Sequence, residues 1–171
     1  MSKEKTFDPL LLENQICFPL YACAKEVVRR YRKPLAPLGL TYTQYIAMMI
    51  LWEYGDMTEG ELGRIIHLDS GTLAPLLKRL EKQGMIVRTR LENNERKLLL
   101  SLTEEGRALK QAAEAVPCAM KGCIPLGQEE LILLHGLLKK ALDAMAENAW
   151  ETKIEAEEQR AQVESRNHHH R

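Results

Sequence analysis

The chain lacks the features that would assign it to several large classes of protein. Only 5% of its 171 residues are aromatic, and 24 Lys and Arg residues balance 24 Asp and Glu residues. The charge of the whole chain therefore gives no argument for a nucleic-acid partner. No apolar run approaches the roughly 20 residues that span a bilayer, and no signal-like segment opens the chain. We expect a single cytoplasmic domain with no membrane partner.

Motifs for enzymatic chemistry are also missing. The sequence contains no G-x-S-x-G, no glycine-rich phosphate loop and no H-E-x-x-H, which argues against hydrolytic catalysis. Four cysteines are present, but none forms a C-x-x-C. Cys17 and Cys23 would lie about 240° apart around a helix, and Cys118 and Cys123 about 140° apart, so neither pair converges on one ion. We expect no metal site and no cofactor.

A central segment, residues 58–102, combines two predicted helices with a predicted β-hairpin. The first helix covers Glu59–Leu68, and the second begins near Thr72. Two strands follow at Met85–Leu91 and Arg96–Leu102, joined by a polar turn. A helix-turn-helix followed by a basic hairpin is the layout of a winged-helix DNA reader.

The second helix of this segment has one apolar and one cationic face. Pro75 favours a regular helix only from about Thr72, because proline is tolerated in a first turn. An apolar stripe at helical spacing predicts a face packed on the core; it consists of Leu73, Leu76, Leu77 and Leu80. From Leu76 to Leu100, seven Lys and Arg residues stand against three Glu residues, whereas residues 143–171 carry seven acidic and four basic residues. The segment is therefore locally basic although the chain is neutral.

The segments on either side of the reader are predicted dimerisation helices, within residues 14–54 and 103–155. One helix runs from about Asn14–Cys17 to Arg32, before a break with two prolines. A capping box, Thr41 with Gln44, opens another that ends at Tyr54. Four of its residues are predicted to face the core: Tyr45, Met48, Met49 and Trp52.

Beyond the hairpin, Thr103 opens a long helix that runs towards Pro117. An apolar seam follows at spacings of three and four residues, which is typical of a surface that packs on a partner. It comprises Leu131, Leu134, Leu138, Leu142, Met145 and Ala149. Residues 156–171 are a predicted polar tail, in which His168–His170 is more typical of an artificial tag or a solvated end than of a metal site.

Cys17 falls at or beside the start of the first predicted helix, since Pro19 belongs in a first turn. The positive end of the helix dipole favours a thiolate there, although a small buried hydrophobe is the alternative. Tyr21 lies one turn away, within local reach. Tyr31 lies about 21 Å along the axis, so it can contact Cys17 only of an antiparallel copy in a two-fold dimer.

At these residues the sequence resembles the organic-hydroperoxide-sensing repressors of the MarR family of winged-helix regulators. The passages that carry the resemblance are ICFPLYACAKEVVRRYRKPLAPLGLTYTQY, LDSGTLAPLLKRLEKQGMIVR and LSLTEEGRAL. The resemblance implies a mainly α fold with a small β-hairpin wing and no enzymatic activity. It also implies a homodimer that places one recognition helix per subunit in the major groove of a pseudo-palindromic operator in double-stranded DNA.

The resemblance implies roles for the thiols and phenols as well. Cys17 matches the cysteine that organic hydroperoxide oxidises, and tyrosines that match Tyr31 and Tyr42, from the partner subunit, hold its thiolate. The sulfenic acid that forms then gives either a mixed disulfide with a low-molecular-weight thiol or an intersubunit disulfide. Cys123 is the candidate resolving residue for the second route, and Cys118 is the next candidate.

The DNA contacts are expected on the second helix of the reader and on the wing. The candidates are Ser70, Thr72, Pro75, Lys78, Arg79, Lys82, Arg88, Arg90, Asn94, Arg96 and Lys97. Lys78, Lys82 and the wing are expected to contact phosphates, and Thr72, Pro75 and Arg79 base edges. Arg96 matches the family's minor-groove arginine. The family's usual Asp two residues before it is Asn94 here, which can orient Arg96 only without charge assistance.

Two alternatives use the same residues differently. In one, the DNA reader is controlled by a small phenolic or anionic ligand in the dimer crevice, and Cys17 is ordinary packing. In the other, the chain is a thiol peroxidase that uses Cys17 catalytically, which would leave the helix-turn-helix and wing without a purpose. Release of DNA under fully reducing conditions would favour the first, and turnover with a reductant would favour the second.

Overall fold

The structure is a computed structural model that describes residues 8–91 and 94–146, with the side chains of 94–96 excepted. These residues fall into two units, which divide between Ile124 and Pro125. The helices of the first unit are α1 (Cys17–Leu35), α2 (Tyr42–Tyr54), α3 (Glu59–Ile66), α4 (Ser70–Lys82), α5 (Glu104–Ala113) and α6 (Ala115–Ala119). Its strands are β1 (Met57–Thr58), β2 (Ile86–Leu91) and β3 (Asn94–Leu102), and short 3₁₀ turns occupy Leu12–Asn14 and Ala36–Leu38. In the second unit, residues 128–146 form a helix, α7.

The sheet is antiparallel, with strand order β1-β3-β2. Ile86 pairs with Leu102, and the register shifts between Arg90 and Leu91 near the tip of the wing. Met57 pairs with Leu100 and so adds β1 to the other edge of β3. The predicted mainly α fold with a β-hairpin wing is confirmed. The third strand was not predicted, because two residues are too few to show an alternating pattern.

Side-chain caps fix the helix starts where the sequence predicted them. Thr41 and Gln44 form a reciprocal capping box on α2: the Thr41 backbone N–H donates to Gln44 Oε1 over 2.9 Å. Thr58 and Glu61 form a second box on α3. Thr103 accepts a hydrogen bond from the Gly106 backbone N–H over 2.9 Å at the start of α5. Each box satisfies backbone N–H groups that the first helical turn leaves unpaired.

The predicted end of the first helix at Arg32 is wrong. The helix continues through Pro34 to Leu35 and passes directly into the 3₁₀ turn. Pro34 forfeits one backbone hydrogen bond, but it lies in the last turn, and the next residue, Leu35, is only 1% exposed. Burial of that leucine offsets the missing bond.

The predicted start of the second reader helix near Thr72 is also wrong. α4 begins at Ser70, because Asp69 caps it by accepting from the Thr72 backbone N–H over 2.9 Å. Pro75 is therefore the sixth helical residue and lies inside the helix. The long helix predicted from Thr103 towards Pro117 is two helices, α5 and α6, which meet at Glu114.

The core of the first unit lies between α2, α4 and the sheet. Its largest fully buried residues are Leu35, Met48, Leu51, Leu62, Leu73, Leu77, Leu80, Ile86, Leu100 and Val116. Three of the four predicted stripe residues on α4 are fully buried, and Leu76 is partly buried. Tyr45 and Met48 face the core as predicted, whereas Met49 is 43% exposed. The prediction that Met49 faces the core is wrong. Because α2 carries apolar residues on nearly every side, periodicity could not identify the buried face of this helix.

A hydrogen-bonded junction connects the exit of α4 to the starts of β2 and α5. The Thr103 backbone N–H donates to the Met85 carbonyl oxygen over 3.1 Å. The indole N–H of Trp52 donates to the Gly106 carbonyl oxygen over 2.8 Å. Gly84, the residue after the α4 C-cap, has φ of +74°, a conformation that glycine adopts without strain. The junction therefore holds α2, α4, the wing and α5 together.

A second polar connection joins α2 to the end of α4. Gln44 is only 4% exposed, and its side-chain amide donates to Gln83 Oε1 over 3.2 Å. The Gln83 amide in turn donates to the Gly39 carbonyl oxygen over 2.9 Å. Gln83 is the C-cap of α4, so the connection runs from the first turn of α2 to the last turn of the reader helix.

In the second unit, α7 keeps an apolar surface exposed. Leu138, Leu142 and Met145 are 38%, 48% and 64% exposed, and Ile132 and Leu133 are more than three-fifths exposed. Ala149, the acidic tail and His168–His170 lie outside the described residues. Within the described part of the chain, no helix is long and apolar enough to cross a membrane.

Candidate nucleic-acid interface and thiol site

The start of α4 is held by Asp69. Its carboxylate accepts from the Thr72 backbone N–H and from the Thr72 hydroxyl, each over 2.9 Å. These two bonds, the backbone one first, lower the pKa of Asp69. The Thr72 hydroxyl proton is thus directed at Asp69, which leaves the oxygen lone pairs and the methyl group of Thr72 for another molecule. Ser70 beside it is exposed.

The outer face of α4 is exposed and cationic. Thr72, Pro75, Lys78, Arg79 and Lys82 are all exposed, opposite the buried leucines. The sequence predicted this face, and the structure brings its candidate residues together along one side of a helix. Their positive charges and the single rigid helix suit contact with phosphates and base edges in a groove.

The wing presents further cations, and one of them is paired with a carboxylate of α4. Arg90 and Lys97 are exposed. The Arg88 guanidinium instead contacts the Glu81 carboxylate of α4, with Nη2 2.6 Å and Nε 3.0 Å from Glu81 Oε2. Asn94 and Arg96 lie in β3, and their side chains are outside the described residues.

Three tyrosine rings gather where α1 meets α2. The ring centroids of Tyr31 and Tyr42 are 4.6 Å apart, and those of Tyr31 and Tyr45 are 6.1 Å apart. Burial is the main cause that raises the pKa of all three phenols, and the nearby Cys123 thiol adds to this for Tyr31 and Tyr42. Phenols with a raised pKa stay protonated at neutral pH and can donate hydrogen bonds to an anion.

Cys123 is the one thiol of the four that packs beside these rings. It is half-buried and contacts the same core as Tyr31 and Tyr42. Arg30 of α1 donates from Nη1 to the Cys123 carbonyl oxygen over 2.8 Å, which fixes the backbone of this loop. A cleft of about 640 Å³ opens beside it, and its lining includes Arg30, Lys33, Lys121 and Cys123.

Cys17 is the first residue of α1, as predicted, and it is exposed. Tyr21 is 61% exposed, and its ring lies 5.5 Å below the ammonium group of Lys25. In one protomer, therefore, Tyr31, Tyr42 and Cys123 come together, while Cys17 lies about 21 Å from Tyr31 along the same helix. Cys23 and Cys118 are both exposed.

Sequence reasoning missed three participants in these sites. Tyr45 was assigned only to the core, although its spacing of three residues from Tyr42 indicated the shared face. Glu81 and Gln83 were not singled out, because their partners lie on other elements and no spacing in the sequence reveals them. Among the described residues, no group of three or more His, Cys, Asp or Glu side chains could hold a metal ion.

Comparisons with known proteins agree on one family. The MarR family model matches residues 40–98. The organic hydroperoxide resistance transcriptional regulator of Bacillus subtilis is 43% identical over 142 residues, which cover 83% of this chain and 97% of that protein. AbfR of Staphylococcus epidermidis is a solved relative. Reduced AbfR bound to DNA is 36% identical, with a TM-score of 0.64 over 78% of this chain and 94% of AbfR. Disulfide-formed AbfR is also 36% identical, with a TM-score of 0.55 over 80% of this chain and 92% of AbfR.

Proposed function

Because the chain belongs to the MarR family, we propose that it is a dimeric transcriptional repressor that leaves its operator when an organic hydroperoxide oxidises Cys17. The observation that carries the redox part is the convergence of Tyr31, Tyr42 and Cys123 at the opposite end of α1 from Cys17. A protomer cannot bring its own sensor to these groups, whereas a two-fold dimer with antiparallel α1 helices can. The protein would act in the cytoplasm, where its DNA is.

DNA binding rests on the exposed face of α4 and on the wing. Lys78 and Lys82 supply phosphate contacts, and these give the affinity its dependence on salt. Thr72, Pro75 and Arg79 face the base edges in the major groove. Arg96 would enter the minor groove beside the wing. Two such heads in a symmetric dimer require a pseudo-palindromic operator, with half-sites about one helical turn of DNA apart or a multiple of it.

The dimer rests on apolar side chains that one protomer leaves exposed. Ile16 is 79% exposed and Phe18 46%, on either side of Cys17. The apolar side chains of α7 are exposed as well. A monomer rarely keeps contiguous apolar surface in water, and a two-fold partner would bury it.

The chemistry in the dimer proceeds in two steps. The Cys17 thiolate, held by the Tyr31 and Tyr42 phenols across the interface, attacks the terminal peroxide oxygen. The O–O bond breaks, an alcohol leaves after taking up one proton, and Cys17 becomes a sulfenic acid. The thiol of Cys123 across the interface then attacks that sulfur, and a disulfide and one water molecule form. Cys123 is favoured over Cys118 because its thiol is near enough to Tyr31 and Tyr42 to raise their pKa, whereas Cys118 is exposed.

The deciding experiment is oxidation of wild type and single Cys→Ser variants with one equivalent of cumene hydroperoxide. A non-reducing gel and intact mass report the cross-linked dimer, and fluorescence anisotropy reports DNA release. We expect the cross-link to be absent in C17S and C123S and to persist in C23S and C118S. We expect C17S to stay on DNA. Tyr42→Phe, at a half-buried phenol, is matched to Tyr54→Phe, at an exposed one, and tests whether a phenol supports the sensor.

Two outcomes would contradict this proposal. If C17S leaves DNA on peroxide as wild type does, Cys17 is not the sensor. If the cross-link persists in C123S, the resolving role belongs to Cys118 or Cys23. Release by C123S only in the presence of a low-molecular-weight thiol would assign resolution to a mixed disulfide. Continuous consumption of peroxide with a reductant, in the absence of DNA, would identify a thiol peroxidase.

A second candidate function is control by a small anionic ligand. The observation that favours it is the cleft beside Cys123, which is lined by Arg30, Lys33 and Lys121 and is large enough for a small molecule. Under this alternative an aromatic carboxylic acid would release DNA in excess dithiothreitol, and C17S would respond as wild type does. If release of DNA requires both peroxide and Cys17, a small anionic ligand is excluded as the main regulator.

A further inference from the structure

Glu81 and Arg88 connect the reader helix to the wing. Glu81 lies in the last turn of α4, and Arg88 is the third residue of β2. Both Nη2 and Nε of Arg88 reach the same carboxylate oxygen, at 2.6 Å and 3.0 Å. The Arg88 side chain is only 15% exposed, and that of Glu81 is 38% exposed. The contact lowers the pKa of Glu81, with the Arg88 hydrogen bonds as the main cause.

A carboxylate at position 81 is unfavourable on a DNA-binding helix unless its pairing with Arg88 compensates for it. Its neighbours Lys78, Arg79 and Lys82 form the exposed cationic face of α4. A free carboxylate beside them would repel phosphates and weaken binding. Because Arg88 is largely covered and both of its contacting nitrogens are committed to Glu81, it is poorly disposed to bind a phosphate itself.

The backbone between the two residues is short, and the pair adds a side-chain contact to the backbone bonds of this turn. Only 83–85 separate α4 from β2, and Gly84 among them has φ of +74°. Gly84 donates its backbone N–H to the Glu81 carbonyl over 2.9 Å, and Met85 donates to the Leu80 carbonyl over 3.0 Å. These bonds fix the start of the turn, but the direction in which β2 leaves it depends on contacts further along the strand. The Glu81–Arg88 pair is the first charged contact of that kind.

We propose that Glu81 and Arg88 form a strut that sets the angle between the reader helix and the wing, and that Arg88 acts on DNA through Glu81. At this angle the exposed wing cations, such as Arg90 and Lys97, contact the phosphate backbone of the same duplex that α4 binds. Arg88 is thus a positioning residue and not a phosphate contact. This inference rests on the proposed function, since it requires that α4 and the wing bind one duplex.

The test is a double-mutant cycle on DNA affinity with Glu81→Ala, Arg88→Ala and the double variant. The probe is a labelled duplex of about 30 base pairs, selected from random sequence by the reduced wild-type protein. The strut predicts that Glu81→Ala weakens binding by about fivefold, although it removes a negative charge from the binding face. It also predicts that the double variant binds no worse than either single variant, because each change removes the same connection.

Controls separate the strut from simpler effects. Glu114→Ala, at the junction of α5 and α6, makes the same change in net charge away from the reader and should leave binding unchanged or slightly tighter. Urea unfolding shows whether each variant is folded under the binding conditions. If an alanine variant is not folded, a charge-swapped protein that carries both Glu81→Lys and Arg88→Glu is measured in its place. Under the strut, the swapped pair binds more tightly than Arg88→Glu alone at every salt concentration.

A clear outcome overturns the inference. If Glu81→Ala binds DNA as tightly as wild type or more tightly, and Arg88→Ala lowers the slope of log affinity against log salt by about one, Arg88 is a phosphate contact and the strut is wrong. Arg79→Ala distinguishes failure of the strut alone from failure of the proposed DNA-binding function. If Arg79→Ala weakens binding and Glu81→Ala does not, only the strut fails. If Arg79→Ala also has no effect, α4 is not the reading helix, and the proposed function fails with it.

Discussion

Replacement of Gly106 by alanine should destabilise the protein more than any other Gly→Ala change in its helices. A Cβ atom at Gly106 would lie 2.0 Å from the Met85 carbonyl oxygen and 3.3 Å from Thr103 Oγ1. The backbone would have to move by about 1.5 Å to reach an ordinary contact distance of ~3.5 Å. The Met85 carbonyl cannot yield easily, because it accepts from the Thr103 backbone N–H over 3.1 Å, and the Thr103 hydroxyl holds the preceding carbonyl, that of Gly84, over 2.5 Å.

The expected magnitude follows from two opposing effects. A glycine in a helix costs about 0.5–1 kcal/mol relative to alanine, so the substitution alone would stabilise α5. Overpacking against a fixed group typically costs about 1–3 kcal/mol, and a 2.0 Å approach belongs at the upper end of that range. We therefore expect Gly106→Ala to lower the free energy of unfolding by about 1–2 kcal/mol in net terms.

The assay is urea unfolding followed by tryptophan fluorescence and far-ultraviolet circular dichroism. Gly60→Ala in α3 is the matched control, because nothing lies within 4 Å of its added Cβ. That variant should be as stable as wild type or more so. If Gly106→Ala is no less stable than Gly60→Ala, the close approach of α5 to the turn between α4 and β2 is not a real constraint, and the reasoning is refuted.

Three further predictions concern caps, phenols and the polar connection. Asp69→Ala should lower the melting temperature at pH 7; because the pKa of Asp69 is lowered in the folded protein, the difference from wild type should shrink as the pH falls below about 4 and the native carboxylate protonates. Tyr42→Phe should slow oxidation of Cys17 by about tenfold in stopped-flow measurements, as expected for one lost charge-assisted hydrogen bond, whereas Tyr54→Phe should not. Gln83→Leu should lower the free energy of unfolding in urea by about 1–3 kcal/mol, because it leaves the buried Gln44 amide unpaired; an unchanged midpoint would show that water replaces Gln83.

Much of the first unit could be predicted because local chemistry determines it. The capping boxes at Thr41 and Thr58 are reciprocal side-chain and backbone bonds within four residues, so the sequence alone contains both partners. The leucine stripe of α4 has the helical period, which identifies its buried face without knowledge of what covers it. The cationic outer face follows as the opposite side of the same helix.

The remainder depends on contacts between elements that the sequence does not bring together. The end of α1 was misplaced because the burial of Leu35 outweighs the rule that proline ends a helix. The start of α4 was misplaced because Asp69 was assigned to a break and not to an N-cap. The proximity of Cys123 to Tyr31 joins residues more than ninety positions apart. The resemblance to a family pointed to that thiol, whereas spacing within the chain could not.

The polar connection through Gln44 and Gln83 has a consequence for how a signal travels. Gln44 caps the helix whose first residue is Tyr42, and the same amide holds the last turn of the reader helix. A rotation of the first turn of α2 therefore displaces the reader directly, with no flexible loop to absorb the motion. If Tyr42 holds the partner's thiolate as proposed, a displacement there would reach the last turn of α4 through this one hydrogen bond of 3.2 Å, and so would alter the span between the two DNA-binding heads of the proposed dimer.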